Sequence, residues 1–148
     1  MVTAVLIGTG CSAGGGTPST ATSGEHSATT VAVAEKEWSV SPSPTTGKAG
    51  EVRFTAKNSG ATVHELIVAK VDTDPAKLPT YGSADKPAEG HSIGDVDEDK
   101  VPALGELDDI APGATKDVTF ALSPGKYVLY CNLPAHYSQG MRMTFTVQ

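Results

Sequence analysis

The stretch Tyr130 to Met143 reads YCNLPAHYSQGMRM and carries a cysteine at 131, a histidine at 136 and a methionine at 141. A thiolate, an imidazole and a thioether are donors that suit soft and borderline metal ions. Cys131 closes a segment in which Tyr127, Leu129 and Cys131 share one face, and Met141 opens another in which Met141, Met143, Phe145 and Val147 do the same. The loop between them can therefore present all three donors to one point, and Pro134 restricts the backbone just ahead of His136. Far upstream, His64 begins HELIVAKV, where His64, Leu66 and Val68 alternate on the side that the core would occupy. A sandwich of strands can bring that end over the same loop. Singly, each residue has a plain structural explanation: Cys131 as a small buried hydrophobe, the methionines as core, His64 as a strand-end histidine bonded to backbone. Met143 is assigned to the core with Phe145 and Val147. The order and spacing of the others point to one centre with His64, Cys131, His136 and Met141 as metal ligands.

Two imidazoles and one thiolate in a trigonal set, with a weak thioether alongside, are the donors of a mononuclear type 1 (blue) copper site. Cu(I) favours soft sulfur and low coordination, whereas Cu(II) favours nitrogen and squarer geometry, so a rigid compromise lets the electron arrive with little movement. A structural zinc site uses cysteine and histidine without methionine. One copper ion is the expected cofactor.

The elements that must hold these side chains read as strands. EVRFTAK alternates Val52, Phe54 and Ala56, KDVTFAL alternates Val118, Phe120 and Leu122, and Val31 to Val40 (VAVAEKEWSV) reads as a single strand carrying the only tryptophan, Trp38. SPSPTTGKAG, KNSGAT, IAPGAT and LSPGK are turn signals between them. No amphipathic helix stands out, and 16 Gly with 10 Pro fit many short strands and turns. The expected fold is all-β, a Greek-key β-sandwich of antiparallel strands, with a long irregular insertion at 72–110 holding a short helix or an extra hairpin. Its acidic end, GDVDEDK and GELDD, reads as solvated surface. It lacks the oxygen-ligand spacing of a calcium loop. His91, in this insertion, is expected to face water, and Tyr130 and Tyr137 are read as surface aromatics without a role in electron flow.

The length of 148 residues favours one folded domain, and a net charge of −6 excludes nucleic acid as a partner, since phosphate neutralisation needs clustered Lys and Arg. Residues 1–10 (MVTAVLIGTG) followed by Cys11 resemble the end of a bacterial lipoprotein signal, in which the cysteine takes the lipid. Residues 11–29, rich in Ser, Thr, Gly and Ala, cannot bury apolar area and read as a disordered, flexible tether, with His26 idle in it. The folded domain is placed at 30–148. With Cys11 in the processing site and Cys131 in the metal loop, no disulfide is expected. The location that follows is extracytoplasmic, with membrane contact only through a lipid on Cys11.

YCNLPAHYSQGM, with its Cys-x4-His-x4-Met spacing at Cys131, His136 and Met141, resembles the ligand loop of the cupredoxins, the small blue copper proteins that include plastocyanin, azurin and rusticyanin. NSGATVHEL resembles the segment that supplies the family's first histidine, here His64, and AGEVRFTAKNSG and LSPGKYVLYC resemble its approach strands. The resemblance spans Val31 to Gln148 and is weakest over Asp72 to Ile110. It implies a monomeric carrier that shuttles single electrons between redox proteins as donor and acceptor, with no bond-making chemistry. One departure touches the site: several cupredoxins carry Asn or Ser beside the first histidine, hydrogen-bonding near the ligand loop, where this chain has Val63 and Glu65.

The competing function is copper delivery or homeostasis, which would use the same ligands with exchangeable metal. Such sites expose clusters of Met or His, and the chain has 3 Met and 4 His in all. A multicopper oxidase or nitrite reductase would need paired histidines such as His-x-His, and none occurs among His26, His64, His91 and His136. A metal-free adhesion or interaction sandwich would leave the four donors without a task.

Overall fold

The computed structural model describes residues 28–148. The signal-like segment 1–10, Cys11, His26 and nearly all of the 11–29 tether lie outside the described residues, and the one tether position placed in an element, Thr29, already opens the first strand.

Among the described residues, nine strands make two sheets. They are β1 (Thr29–Lys36), β2 (Ser39–Ser43), β3 (Thr46–Gly47), β4 (Gly50–Asn58), β5 (His64–Lys70), β6 (Ala103–Ile110), β7 (Thr115–Leu122), β8 (Gly125–Tyr130) and β9 (Arg142–Val147). One sheet has the order β2-β1-β4-β7 and the other β3-β9-β8-β5-β6. A four-residue helix, α1 (His136–Gln139), lies in the loop before β9, and a 3-10 turn spans Pro75–Lys77. The two-residue period does its work most cleanly in β4, where Val52, Phe54 and Ala56 are fully buried and their neighbours face outward. They meet Leu66, Val68, Leu129, Cys131 and Phe145 of the opposite sheet in one core.

Two expectations about the strands are corrected. Val31 to Val40 is not one strand: it folds into a hairpin, with Lys36 paired to Ser39 across Glu37 and Trp38. Two-residue hairpin turns usually announce themselves through Gly, Asn or Asp, and this one carries none. The sandwich is also not purely antiparallel. After β2 the chain crosses to the other sheet, where β3 pairs parallel to β9, and it returns so that β4 runs parallel to β1.

The insertion is more ordered than a loop. Its C-terminal end is β6, a strand the sequence hid because it lies at a sheet edge and only Ile110 is buried. Before that, Thr80 bridges to Val96, and Leu78, Val96 and Val101 pack with Tyr137 on the outward side of β5 and β8, against Ile67, Ala69, Val128 and Tyr130. Burying each such aliphatic side chain is worth roughly 1.5–3 kcal/mol. This second core explains why β5 and β8 read as nearly continuous apolar runs: both of their faces are covered. It also corrects the reading of Tyr130 and Tyr137, which are buried rather than surface aromatics. The Tyr137 hydroxyl donates to the Pro75 carbonyl at 2.5 Å, whereas the buried Tyr130 hydroxyl has no protein partner. Tyr130→Phe is therefore expected to keep or raise the melting temperature, by the equivalent of about 1 kcal/mol, because it removes an unsatisfied polar atom. A fall of similar size in thermal unfolding would contradict this.

Met143 is a further correction. It shares a face with Phe145 and Val147, yet it is 40 % exposed. The two-residue β3 flanks β9 only at Thr146 and Val147, so Met143 lies on a stretch with no strand on that side.

Candidate metal centre

Strand β5 begins at His64, β8 runs into Cys131, and α1 opens with His136. Their donor atoms converge. His64 Nδ1 lies 3.3 Å from His136 Nδ1, and Cys131 Sγ lies 3.3 Å from the same nitrogen. All three ligand atoms fall within 4.8 Å of one another. Those spacings suit donors that each sit roughly 2.0–2.3 Å from a common ion. Met141 is fully buried in the same core as Cys131, and its carbonyl accepts from the Cys131 N–H at 3.1 Å. Of the four, only His136 reaches solvent, at 9 % exposure against zero for the others.

Burial sets the protonation. It pushes the Cys131 thiol up to about 12 and holds both His64 and His136 below the usual imidazole value. The imidazoles are thus neutral near pH 7 with lone pairs free to bind, while a metal that takes the thiolate must displace its proton. The Glu65 N–H donates to Cys131 Sγ at 3.4 Å and favours the thiolate.

The ligand loop is clamped from two sides. Glu65, the residue at which the sequence departs from the resemblance, reaches across so that its Oε1 accepts from the Asn132 N–H at 2.7 Å. It thereby cross-links the His64 strand to the Cys131 loop. Burial, with Glu98, Glu106 and Asp108 nearby, raises the Glu65 carboxyl to about 7. From the other side comes the insertion. The Val96 N–H donates to Asn132 Oδ1 at 2.6 Å, and Asn132 Nδ2 donates back to the Val96 carbonyl at 3.1 Å and to Glu98 Oε1 at 2.8 Å. Asp95 is fully buried, and its Oδ1 accepts from the Ala135 N–H at 2.8 Å. This pins Ala135, held at the left-handed φ of 69° immediately before His136. The GDVDEDK segment is therefore not simply solvated surface, since Asp95 and Asp97 are buried. Nor does His91 face open water: it is half-buried, with Nδ1 3.4 Å from Asn132 Nδ2.

The unannounced β1–β2 turn puts two more side chains over the centre. Trp38 meets the His136 ring edge-on, with ring centroids 5.1 Å apart at 75°, while staying 44 % exposed. Glu37 faces the other histidine, with Oε1 3.6 Å from His64 Nε2. Sequence reasoning missed Glu37, Trp38 and Asp95. Asn132, adjacent to Cys131, was the one supporting residue whose position in the quoted loop could have flagged it.

The donor set, the burial and the spacing fit one copper ion. The model of the copper-binding proteins of the plastocyanin/azurin family matches residues 27–148. Comparison with curated proteins finds no match. Among solved structures, auracyanin A, a "blue" copper protein from the green thermophilic photosynthetic bacterium Chloroflexus aurantiacus, is 26 % identical with a TM-score of 0.53, over 80 % of this chain and 98 % of that one. Auracyanin B is 24 % identical with a TM-score of 0.59, over 82 % and 89 %. Reduced auracyanin from Roseiflexus castenholzii is 24 % identical with a TM-score of 0.54, over 82 % and 98 %. With a cysteine and two histidines gathered at one point of a two-sheet sandwich, and the family match running through the whole described domain, this chain belongs to the plastocyanin/azurin family of copper-binding proteins.

Proposed function

We propose that the protein is an extracytoplasmic electron carrier that takes one electron from a redox protein and gives it to another through a single type 1 copper ion. The observation that carries the reading is the convergence of His64 Nδ1, Cys131 Sγ and His136 Nδ1 within 4.8 Å, in a buried site. His64, Cys131 and His136 would hold the ion, with the Met141 thioether as a weaker fourth donor. When bound, copper supplies the reversible Cu(II)/Cu(I) couple. The chain supplies rigidity: the sheets fix His64 and Cys131, and the Asp95, Asn132 and Glu65 hydrogen bonds fix the loop that bears His136. A frame that moves little between oxidation states keeps reorganisation small.

The protein binds no organic substrate and makes no bonds, so it is not an enzyme. Exposed Trp38, Val63, Pro134 and Ala135, with half-buried Leu133, lie on or next to the segments that carry His64 and His136 and offer a small apolar docking surface. Small interfaces suit brief redox encounters. The domain works as a monomer, and residues 11–29 tether it to the outer face of a membrane through a lipid on Cys11. Among the described residues no helix is long and apolar enough to cross a membrane.

The test is copper loading of residues 28–148, followed by optical and electron paramagnetic resonance spectra. The expected result is one copper per chain, an intense visible thiolate-to-Cu(II) band and a narrow copper hyperfine splitting. Cys131→Ser is expected to abolish that band while the sandwich stays folded. A colourless product that holds zinc more tightly than copper would overturn the reading, and rapid loss of copper to a mild chelator would favour delivery over electron transfer. For the anchor, Cys11→Ala in the full chain is expected to release the protein from the membrane fraction.

A further inference from the structure

The copper ligand His64 has two ring nitrogens, and only Nδ1 faces the other donors. Its Nε2 is buried and has no hydrogen-bond partner. The polar group that confronts it is the Glu37 carboxylate, whose Oε1 stands 3.6 Å away. That carboxylate sits in a built seat. Its Oε1 accepts from the Ala61 N–H at 2.8 Å, the Thr62 N–H at 2.7 Å and the Thr62 hydroxyl at 2.8 Å. The turn that supplies these donors is held from its inner side by Asn58, whose Nδ2 donates to the Thr62 and Ile110 carbonyls at 2.7 Å each and whose Oδ1 accepts from the Gly60 N–H at 2.8 Å. Gly60 leaves the space the carboxylate fills: a Cβ there would lie 2.5 Å from Glu37 Oε2 and 2.7 Å from Oε1. Four residues of one turn thus converge on placing a negative oxygen behind a metal-binding imidazole.

We infer that Glu37 is a positioning residue for the copper centre, a carboxylate that holds the proton of His64 on Nε2, leaves Nδ1 as the metal-binding atom, and lowers the reduction potential. The inference rests on the copper reading above. A histidine ligand whose second nitrogen faces a carboxylate has its tautomer and ring orientation fixed and its basicity raised. A more basic imidazole stabilises Cu(II) more than Cu(I), since Cu(II) is the harder ion and prefers nitrogen. The 3.6 Å gap is ion-pair range rather than a direct hydrogen bond. The effect is therefore carried by charge, and an amide cannot replace it.

The experiment compares copper-loaded wild type with Glu37→Gln and Gly60→Ala by redox titration, thermal unfolding and nitrogen-15 NMR of the histidine rings in the Cu(I) form. Glu37→Gln keeps an oxygen for the Ala61 and Thr62 donors and removes the charge. It is expected to weaken Cu(II) binding about tenfold relative to Cu(I), in the range for lost ligand-orienting partners, which raises the potential by about 59 mV. Gly60→Ala leaves the charge but forces the carboxylate off its seat, and is expected to shift the potential the same way by less. In wild type the His64 proton is expected on Nε2. An unchanged potential in Glu37→Gln, with only a lower melting temperature, would make Glu37 a turn staple and overturn the inference. Should that variant not fold, a His64 proton found on Nδ1 in wild type would overturn it equally. A wild type without the blue band would sink the copper reading itself, a failure distinct from both.

Discussion

Replacing Glu35 by glutamine is expected to raise the stability of the metal-free protein by about 3 kcal/mol at pH 7, while leaving it nearly unchanged at pH 4.5. Glu35 lies on the inward face of β1 after Val31 and Val33, is fully buried, and neither carboxyl oxygen has a hydrogen-bond partner in the protein. Burial, with the Glu65 charge adding to it, raises its carboxyl from the ordinary 4.5 to about 8. Over that window the folded protein keeps a proton that the unfolded chain has released. The stability associated with the neutral carboxyl is therefore full below about pH 4.5 and is lost as the pH rises through about 8. Glutamine cannot ionise, so the variant's stability curve should fall less steeply with pH by one proton. Glu65, raised to about 7, leaves a residual slope in both proteins. Denaturant unfolding from pH 4.5 to 8.5 measures the difference, and parallel curves for the two proteins would contradict the prediction.

Asp95→Ala is expected to cost about 3 kcal/mol of stability and to weaken copper retention. Asp95 Oδ1 and Oδ2 accept from the N–H groups of Ala135 and Ser92, at 2.8 and 2.6 Å. Truncation leaves both donors unpaired, and hydrogen bonds to charged groups are worth about 1.5–3 kcal/mol each. The Ala135 bond matters most, because it steadies a left-handed residue directly before His136. With it gone, the loop that carries the ligand gains freedom that copper binding must then remove. Asp95→Asn keeps an acceptor for Ala135 and should lose about half as much. Thermal unfolding and the rate of copper release to a chelator measure the two effects. A variant within about 0.5 kcal/mol of wild type, as for an ordinary surface change, would show that the insertion does not brace the site.

The three gathered donors, His64, Cys131 and His136, were legible because they obey local rules. Cys131, His136 and Met141 fall in one loop between two apolar strand-like segments, and His64 opens a third. The fold class was legible for the same reason: β4, β7 and β9 alternate, and the turns between strands carry Gly and Pro. The errors lie where local pattern and tertiary environment part company. Trp38 was placed mid-strand because its turn lacks the usual residues. β6 was missed because an exposed edge strand shows no apolar alternation. Asp95 and Asp97 were read as solvated because acidic residues usually are, yet both are buried, and Asp95 Oδ1 accepts from the Ala135 N–H of the ligand loop. Met143 was placed in the core by period alone, which cannot tell how far a neighbouring strand extends.

The amino-acid sequence by itself determined an all-β chain with two imidazoles, a thiolate and a thioether at the spacings a copper centre needs, since strand period and loop spacing act over a few residues. Only the tertiary structure decided what surrounds those donors: Glu37 behind His64, Trp38 against His136, Glu65 and the insertion gripping the Cys131 loop, and Glu35 buried without a partner. These contacts join residues 27 to 98 positions apart. No local pattern encodes them, because each arises where separate strands and turns are brought together by the packing of the two sheets.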